Sequence, residues 1–222
     1  MIDLVIVGAG GVGRAAAATV AAINAERPTW RLLGFLDDQR ARQGEHLSDL
    51  PLLGGTGWLA GRDEVAAHVA IGSPALRRRI VRRLSALGVR TFATLVHPSV
   101  QLPPSARIGP GCFIYPGAII DVDVTIGAHV IVNINSAICH DDQLADYVTI
   151  APGVSLGGAV RLGEGAELGI GSCTIQGVSV GAWSVVGAGA AVISDLPANC
   201  TAVGVPARVI KMRVPGWHEH EP

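Results

Sequence analysis

The chain has 222 residues, a formal net charge of -1 and only 16% charged residues. That balance excludes a strongly basic nucleic-acid surface, and no apolar run approaches the roughly 18 residues of a membrane-crossing helix. Aromatic residues are 4% of the chain against 29 glycines, so its core has to be thin and regular.

Asp3 and Gly8 interrupt the start and no basic segment precedes an apolar one, so no secretory leader and a cytoplasmic setting are expected. Cys112, Cys139, Cys173 and Cys200 have no CxxC spacing. No zinc or other metal site and no dithiol motif is expected.

Two halves differ in grammar. Residues 1–95 carry 12 Arg and 8 Asp+Glu, a balance of +4; residues 96–222 carry 5 Lys+Arg and 10 Asp+Glu, a balance of -5. In the first half strands and helices alternate. Ile2–Val7 is an apolar strand running into Gly8-Ala9-Gly10-Gly11-Val12-Gly13, a GxGxxG match. Between a strand and a helix, such a loop offers bare amides to a diphosphate. Gly13–Asn24 is Ala-rich and helical. Trp30–Leu36 is a second strand closed by Asp37 and Asp38, where a ribose or base contact is expected. Glu64–Ile71 is a candidate third strand. Ser73 and Pro74 start a helix in which Leu76, Ile80, Leu84 and Leu87 form the apolar stripe among five arginines, and Gly88 ends it. Thr91–Val96 is a last short strand. The reading is an α/β unit with a parallel sheet over 1–95. Alone, GxGxxG suggests an NAD-dependent oxidoreductase. A unit of this size is half a dinucleotide fold, and a mononucleotide such as UDP fits it better.

The second half repeats every six residues. Stepping by six from Val96 to Val192 gives 17 positions, of which 16 are Ile, Leu or Val and one is Thr174. The fifth place of each hexad is usually small or Val, as at Ala106, Cys112, Ala166 and Ser172. Three hexads build one triangular coil of a parallel β-helix, with the apolar residues stacked inside. The hexad Ile138–Gln143 breaks the rule by placing Asp142 in the fifth position, and such a local break is where function is expected. His129 and His97 fall in turns and are expected to be solvated.

The whole arrangement resembles a known family. The hexads, the GAGG start, the GFLDD strand end, VAIGSPALRRRI, the coil NINSAICHD and the closing VGVPARVI are similar to the sialic acid O-acetyltransferase / UDP-4-amino-sugar N-acetyltransferase family. These are hexapeptide-repeat acyltransferases. The resemblance covers about residues 2–212. It implies an α/β Rossmann-like unit at 1–95 for the nucleotide sugar, a left-handed parallel β-helix at 96–212 and a tail at 213–222. It implies acetyl-CoA as donor, no metal, and a homotrimer with its sites between protomers. His140 matches the general base and Asp141 the acid that supports it. Gly8, Gly10, Gly11, Val12, Asp37, Asp38, Gly72 and Asn133 match positions that bind the acceptor. Thr149, Gly158, Ile170 and Ala188 match positions along acetyl-CoA, Gly158 by its amide. Val12 and Thr149 stand where the family commonly has His. The implied activity is acetylation of the amino group of a UDP-linked amino sugar. A sugar O-acetyltransferase and a non-catalytic nucleotide-sugar-binding protein are the alternatives.

Overall fold

The computed structural model describes residues 1–39, 46, 47 and 49–219. The α/β unit is a five-stranded sheet of β1 (Ile2–Val7), β2 (Trp30–Leu36), β3 (His46–Leu47), β4 (Leu50–Gly54) and β5 (Ala66–Val69), in the order β3-β4-β2-β1-β5. All neighbours are parallel except β3, which pairs antiparallel with β4 at the edge. The third strand is β5, shorter than the expected 64–71. β3 and β4 were not expected. They are short, and Pro51 inside β4 disguises that run as a strand.

Helix α1 (Gly11–Glu26) buries Ala16, Ala17 and Val20. Helix α2 (Pro74–Ala86) opens as its sequence requires, with Ser73 Oγ accepting from Leu76 N at 3.3 Å and Pro74 in the first turn. It is followed by Gly88 at φ +98. Its buried stripe differs from the expected one. Pro74, Arg77, Val81 and Leu84 face inward, while Leu76 and Ile80 are half-buried.

The last expected strand of this unit belongs elsewhere. β6 (Leu95–Val96) pairs with Phe113–Ile114 and is the first rung of the largest sheet of the second half; only Phe92 bridges back, to Ala67. From Arg107 onward short strands recur, each in register with its equivalent one coil away, as in Thr125↔Gln143, Ile131↔Thr149 and Ala137↔Ile119. Three stacks of strands form the faces of a left-handed β-helical prism. Ile114, Ile126, Ile138, Leu144, Ile150 and Leu168 fill its interior. The turn residues His129, Asn135, Asp141 and Tyr147 are left-handed, with φ of +56, +53, +63 and +61, so each corner repeats one backbone shape.

The α/β unit packs on one prism face, where Phe113, Tyr115 and Ile131 join Leu4, Ile6, Phe35 and Leu95 in a common core. Arg77 locks the junction and is fully buried. Its Nε donates to His129 O at 2.8 Å, and Nη1 to Ile71 O and Gly72 O at 2.7 and 2.8 Å. Nη2 donates to Tyr147 O, Thr149 Oγ1 and Val148 O at 2.7, 2.9 and 3.3 Å. Burial lowers its pKa to about 10.

His129 is also buried here, which corrects the expectation of a solvated turn. Its ring stacks on Tyr147 at 5.3 Å and meets the edge of Phe92 at 4.9 Å. Positions 129 and 147 are equivalent places in successive coils, at the corner facing α2, so the repeat itself stacks their rings. His97 is half-buried, with Nδ1 2.8 Å from Ser99 Oγ.

The hairpin Cys200–Val203/Arg208–Met212 closes the prism. The tail docks rather than trailing away: His218 stacks on Trp183 at 3.6 Å, and Glu219 pairs with Arg78 at 3.6 Å. Residues 220–222 of the expected tail lie outside the described residues. Among the described residues no helix is long and apolar enough to cross a membrane.

Candidate active site

The glycine loop is built by contact. A Cβ at Gly13 would collide with Gly8 O, and Gly8 itself has φ +104, so only glycine lets helix and strand meet this closely. Gly10 precedes α1 with no side-chain cap, which leaves the first-turn amides without a side-chain acceptor. A cavity of about 460 Å³ opens above this helix end. Gly8, Gly10, Gly11, Val12, Asp37, Asp38 and Gly72 all line it, so the structure gathers seven of the eight expected acceptor-site residues. Thr56, Leu76, Arg79, Ile80 and Arg83 add walls that sequence reasoning missed. The missed signal was helical spacing: Leu76, Ile80 and Arg83 fall on one side of α2.

The two acids shape the cavity rather than hang in it. Asp37 Oδ2 accepts from Ala9 N at 2.9 Å and Oδ1 from Gln39 N at 3.0 Å. Asp38 accepts from Thr56 N at 2.8 Å and from Arg83 Nη1 at 3.0 Å.

His140 stands on a corner of the prism, exposed, and Nδ1 lies 2.8 Å from Asp141 Oδ2. A carboxylate accepts, so Nδ1 carries the hydrogen and Nε2 keeps its lone pair. The hydrogen bond to Asp141 raises the His140 pKa, followed by smaller effects of Asp121 and Asp142. The ring lies over Gly158 in the next coil. A Cβ there would come within 2.5 Å of Nε2 and Cε1, so glycine at 158 makes room for the imidazole. The Gly158 amide has no protein acceptor among the described residues. Asp142 turns inward beneath the same corner and is fully buried; burial raises its pKa to about 6. Cys139 is half-buried, and burial raises its pKa, which removes thiolate character.

The remaining expected residues lie apart from this corner. Asn133 sits on the preceding corner, with Oδ1 accepting from Ile134 N at 2.9 Å. Ile170 and Ala188 share that corner's column, both exposed and on successive coils. Thr149 lies apart from the other residues expected along acetyl-CoA. It is buried in the junction, where Oγ1 accepts from Arg77 and donates to Gly72 O at 3.1 Å. Its single O–H is thereby used, and it ties the prism to the cavity wall. The side chains of His140 and Asp141 are both exposed, so one chain leaves this corner open on its outer side.

Among the described residues no group of three metal-ligating side chains comes together. Residues 3–84 match the model of the PglD N-terminal domain family. No curated protein matches the chain significantly. Among solved structures, a His→Ala variant of GDP-perosamine N-acetyltransferase from Caulobacter crescentus, in complex with CoA and GDP-perosamine, is 30% identical. It covers 94% of this chain and 97% of its own, with a TM-score of 0.86. The acetyltransferase domain of PglB from Neisseria gonorrhoeae FA1090 is 33% identical, over 95% of this chain and 100% of that one, with a TM-score of 0.86. A second structure of that domain, in complex with acetyl coenzyme A, is 32% identical over 94% and 98% of the two chains, with a TM-score of 0.84. At 30–33% identity over 94–95% of its length and with TM-scores of 0.84–0.86, the chain belongs to the hexapeptide-repeat family of acetyl-CoA-dependent sugar acetyltransferases.

Proposed function

We propose that the chain acetylates the amino group of a nucleotide-linked amino sugar, with His140 as general base. The observation that carries this reading is the juxtaposition of two successive coils. One supplies an imidazole whose tautomer is fixed by Asp141; the other supplies a glycine directly beneath Nε2. Nε2 takes the proton as the amine attacks the thioester carbonyl and the C–N bond forms. The Gly158 amide holds the developing oxyanion. Collapse breaks the C–S bond, and the thiolate leaving group accepts a proton from the imidazolium.

Residues 1–95 hold the nucleotide and residues 96–212 carry the chemistry. The cavity suits a nucleoside diphosphate because amides at a helix N-terminus and the guanidinium groups of Arg79 and Arg83 border it. UDP is the nucleotide that the sequence suggests; GDP is the one in the Caulobacter complex. The assay is mass spectrometry of acetyl-CoA reactions with UDP- and GDP-linked amino sugars and with sialic acid. The expected product carries one amide-linked acetyl group. Acetylation of hydroxyls alone would replace this reading with the O-acetyltransferase one, and binding without any product would replace it with the non-catalytic one.

The working form is a homotrimer. One outward prism face is covered by the α/β unit, and another is polar, with Arg107, Thr125, Gln143 and Arg161. The third presents Ile119, 64% exposed, Ala137, Ser155, Cys173 and Ala191, a flat strip of small and apolar side chains. Ile170 and Ile175 extend it past both corners, at 63% and 44% exposure. Such a strip fits a second copy, which would also enclose the open side of His140.

A further inference from the structure

The prism is held by a ladder in which the amide just past each strand donates to a strand carbonyl of the next coil. Asp121 N reaches Ile138 O at 3.0 Å, Asn133 N reaches Ile150 O at 3.1 Å and Ile175 N reaches Val192 O at 3.0 Å. In the His140 column this rule lapses twice in succession. Cys139 N donates not to Leu156 O but to Asp142 Oδ2 at 2.9 Å. Gly157 N donates not to Thr174 O but to Thr174 Oγ1 at 3.0 Å. The coil between them keeps only isolated bridges, Ala137↔Ser155 and Ser155↔Cys173, where the levels below and above have paired strands. The residues that follow the two displaced amides are His140 and Gly158.

The two side chains that replace the ladder are the same two that break the hexad pattern. Asp142 occupies a fifth place that is Val in the coils below and above, Val124 and Val160. Thr174 is the single polar residue among the 17 stacked apolar positions. Asp142 is fully buried and Thr174 half-buried, each a polar group in an otherwise apolar column. Asp142 does more than cap: its Oδ1 accepts from Val160 N at 2.8 Å, so one carboxylate ties the His140 turn to the end of the Gly158 turn.

We propose that Asp142 and Thr174 are positioning residues that hold the strand ladder open between Cys139 and Gly157, and so set the spacing of the His140 ring and the Gly158 amide for acetyl transfer. The inference rests on His140 being the base. Were position 174 apolar, Gly157 N would regain only the regular backbone acceptor and be drawn toward it. Were position 142 Val, the His140 turn would lose its tie to Val160. A displacement on the order of 1 Å at reacting groups lowers turnover roughly 10²-fold.

The test is steady-state kinetics and thermal melting on the full chain carrying Asp142→Val, Thr174→Val or Thr174→Ser. The first two substitutions restore the repeat, so both variants should fold and melt no more than a few degrees below the parent. They should lower kcat at least about tenfold while KM for acetyl-CoA stays within about twofold. Thr174→Ser keeps the hydroxyl and should retain kcat within about threefold. Parental kcat in both Val variants would overturn the inference. So would equal losses in Thr174→Ser and Thr174→Val, or a kcat loss matched by loss of folded protein. His140→Ala in the same assay separates the two readings. If it keeps parental turnover, the base is wrong; if it is inactive while the Val variants are unimpaired, only the positioning role fails.

Discussion

Replacing Arg77 by Met tests how the two units are joined. Of the five carbonyls that Arg77 serves, Gly72 O keeps Thr149 Oγ1 at 3.1 Å and Val148 O keeps Ile131 N at 3.0 Å. Ile71 O, His129 O and Tyr147 O have no other donor among the described residues. A buried acceptor left unpaired costs about 1–3 kcal/mol. His129 O is buried and the bonds to Ile71 O and Tyr147 O are part-buried, so the three together cost about 3 kcal/mol, and relief from burying a guanidinium works the other way. A net loss of about 3 kcal/mol is a large share of the 5–15 kcal/mol typical of a domain. Lys cannot restore it, because one ammonium cannot span acceptors at residues 71–72, 129 and 147–149 as a planar fork does. Urea unfolding at fixed protein concentration gives the number. A loss under about 1 kcal/mol for Arg77→Met, or full recovery in Arg77→Lys, would refute the reasoning.

Four further outcomes follow from the same geometry. His140 must be neutral to act as a base, and Asp141 raises its pKa, so the acid limb of kcat/KM should lie above the ordinary imidazole value of about 6.5 and move to lower pH in Asp141→Asn. His68 and His129 both have pKa values lowered to about 4, chiefly by burial. Their stabilisation is present above pH about 6.5 and is lost as pH falls toward 4. Each adds a slope approaching about 1.4 kcal/mol per pH unit, readable in acid unfolding and reduced in His129→Ala. Gly158→Ala should fold normally but lose most of its kcat, since the methyl would displace the His140 ring. Sedimentation should give about three times 22.8 kDa, and Ile119→Arg should reduce it to one chain mass.

The repeat was the most legible part of the sequence because the period fixes the fold directly: one hexad per prism side, one coil per three hexads. The glycine loop was legible for the same local reason, as Gly8 and Gly13 meet within one turn of chain. The His140 corner was half-legible. Asp142 stood out as a break in pattern, and His140 and Asp141 are neighbours in sequence. What escaped depends on contacts distant along the chain. Arg77 is one of five arginines around the expected apolar stripe, yet it shares the inward side of α2 with Val81 and Leu84, one and two turns further on. Its partners at 129 and 147–149 could not be seen from the helix alone. The burial of His129 and Thr149 escaped for the same reason. Each lies on the prism surface by period, and the α/β unit covers that surface. β4 escaped because Pro51 hides a short strand that its neighbours hold in place.

The central claim is that His140, held by Asp141 over Gly158, removes the proton from the acceptor amine. The most direct measurement is single-turnover acetyl transfer by the parent and by His140→Ala, with the enzyme saturated by acetyl-CoA and the nucleotide amino sugar. A general base contributes roughly 10²–10⁴-fold, so the variant should bind both substrates and be slower by that factor, with its rate no longer falling at low pH along an imidazole limb. A variant that turns over at the parental rate with the parental pH profile would contradict the account.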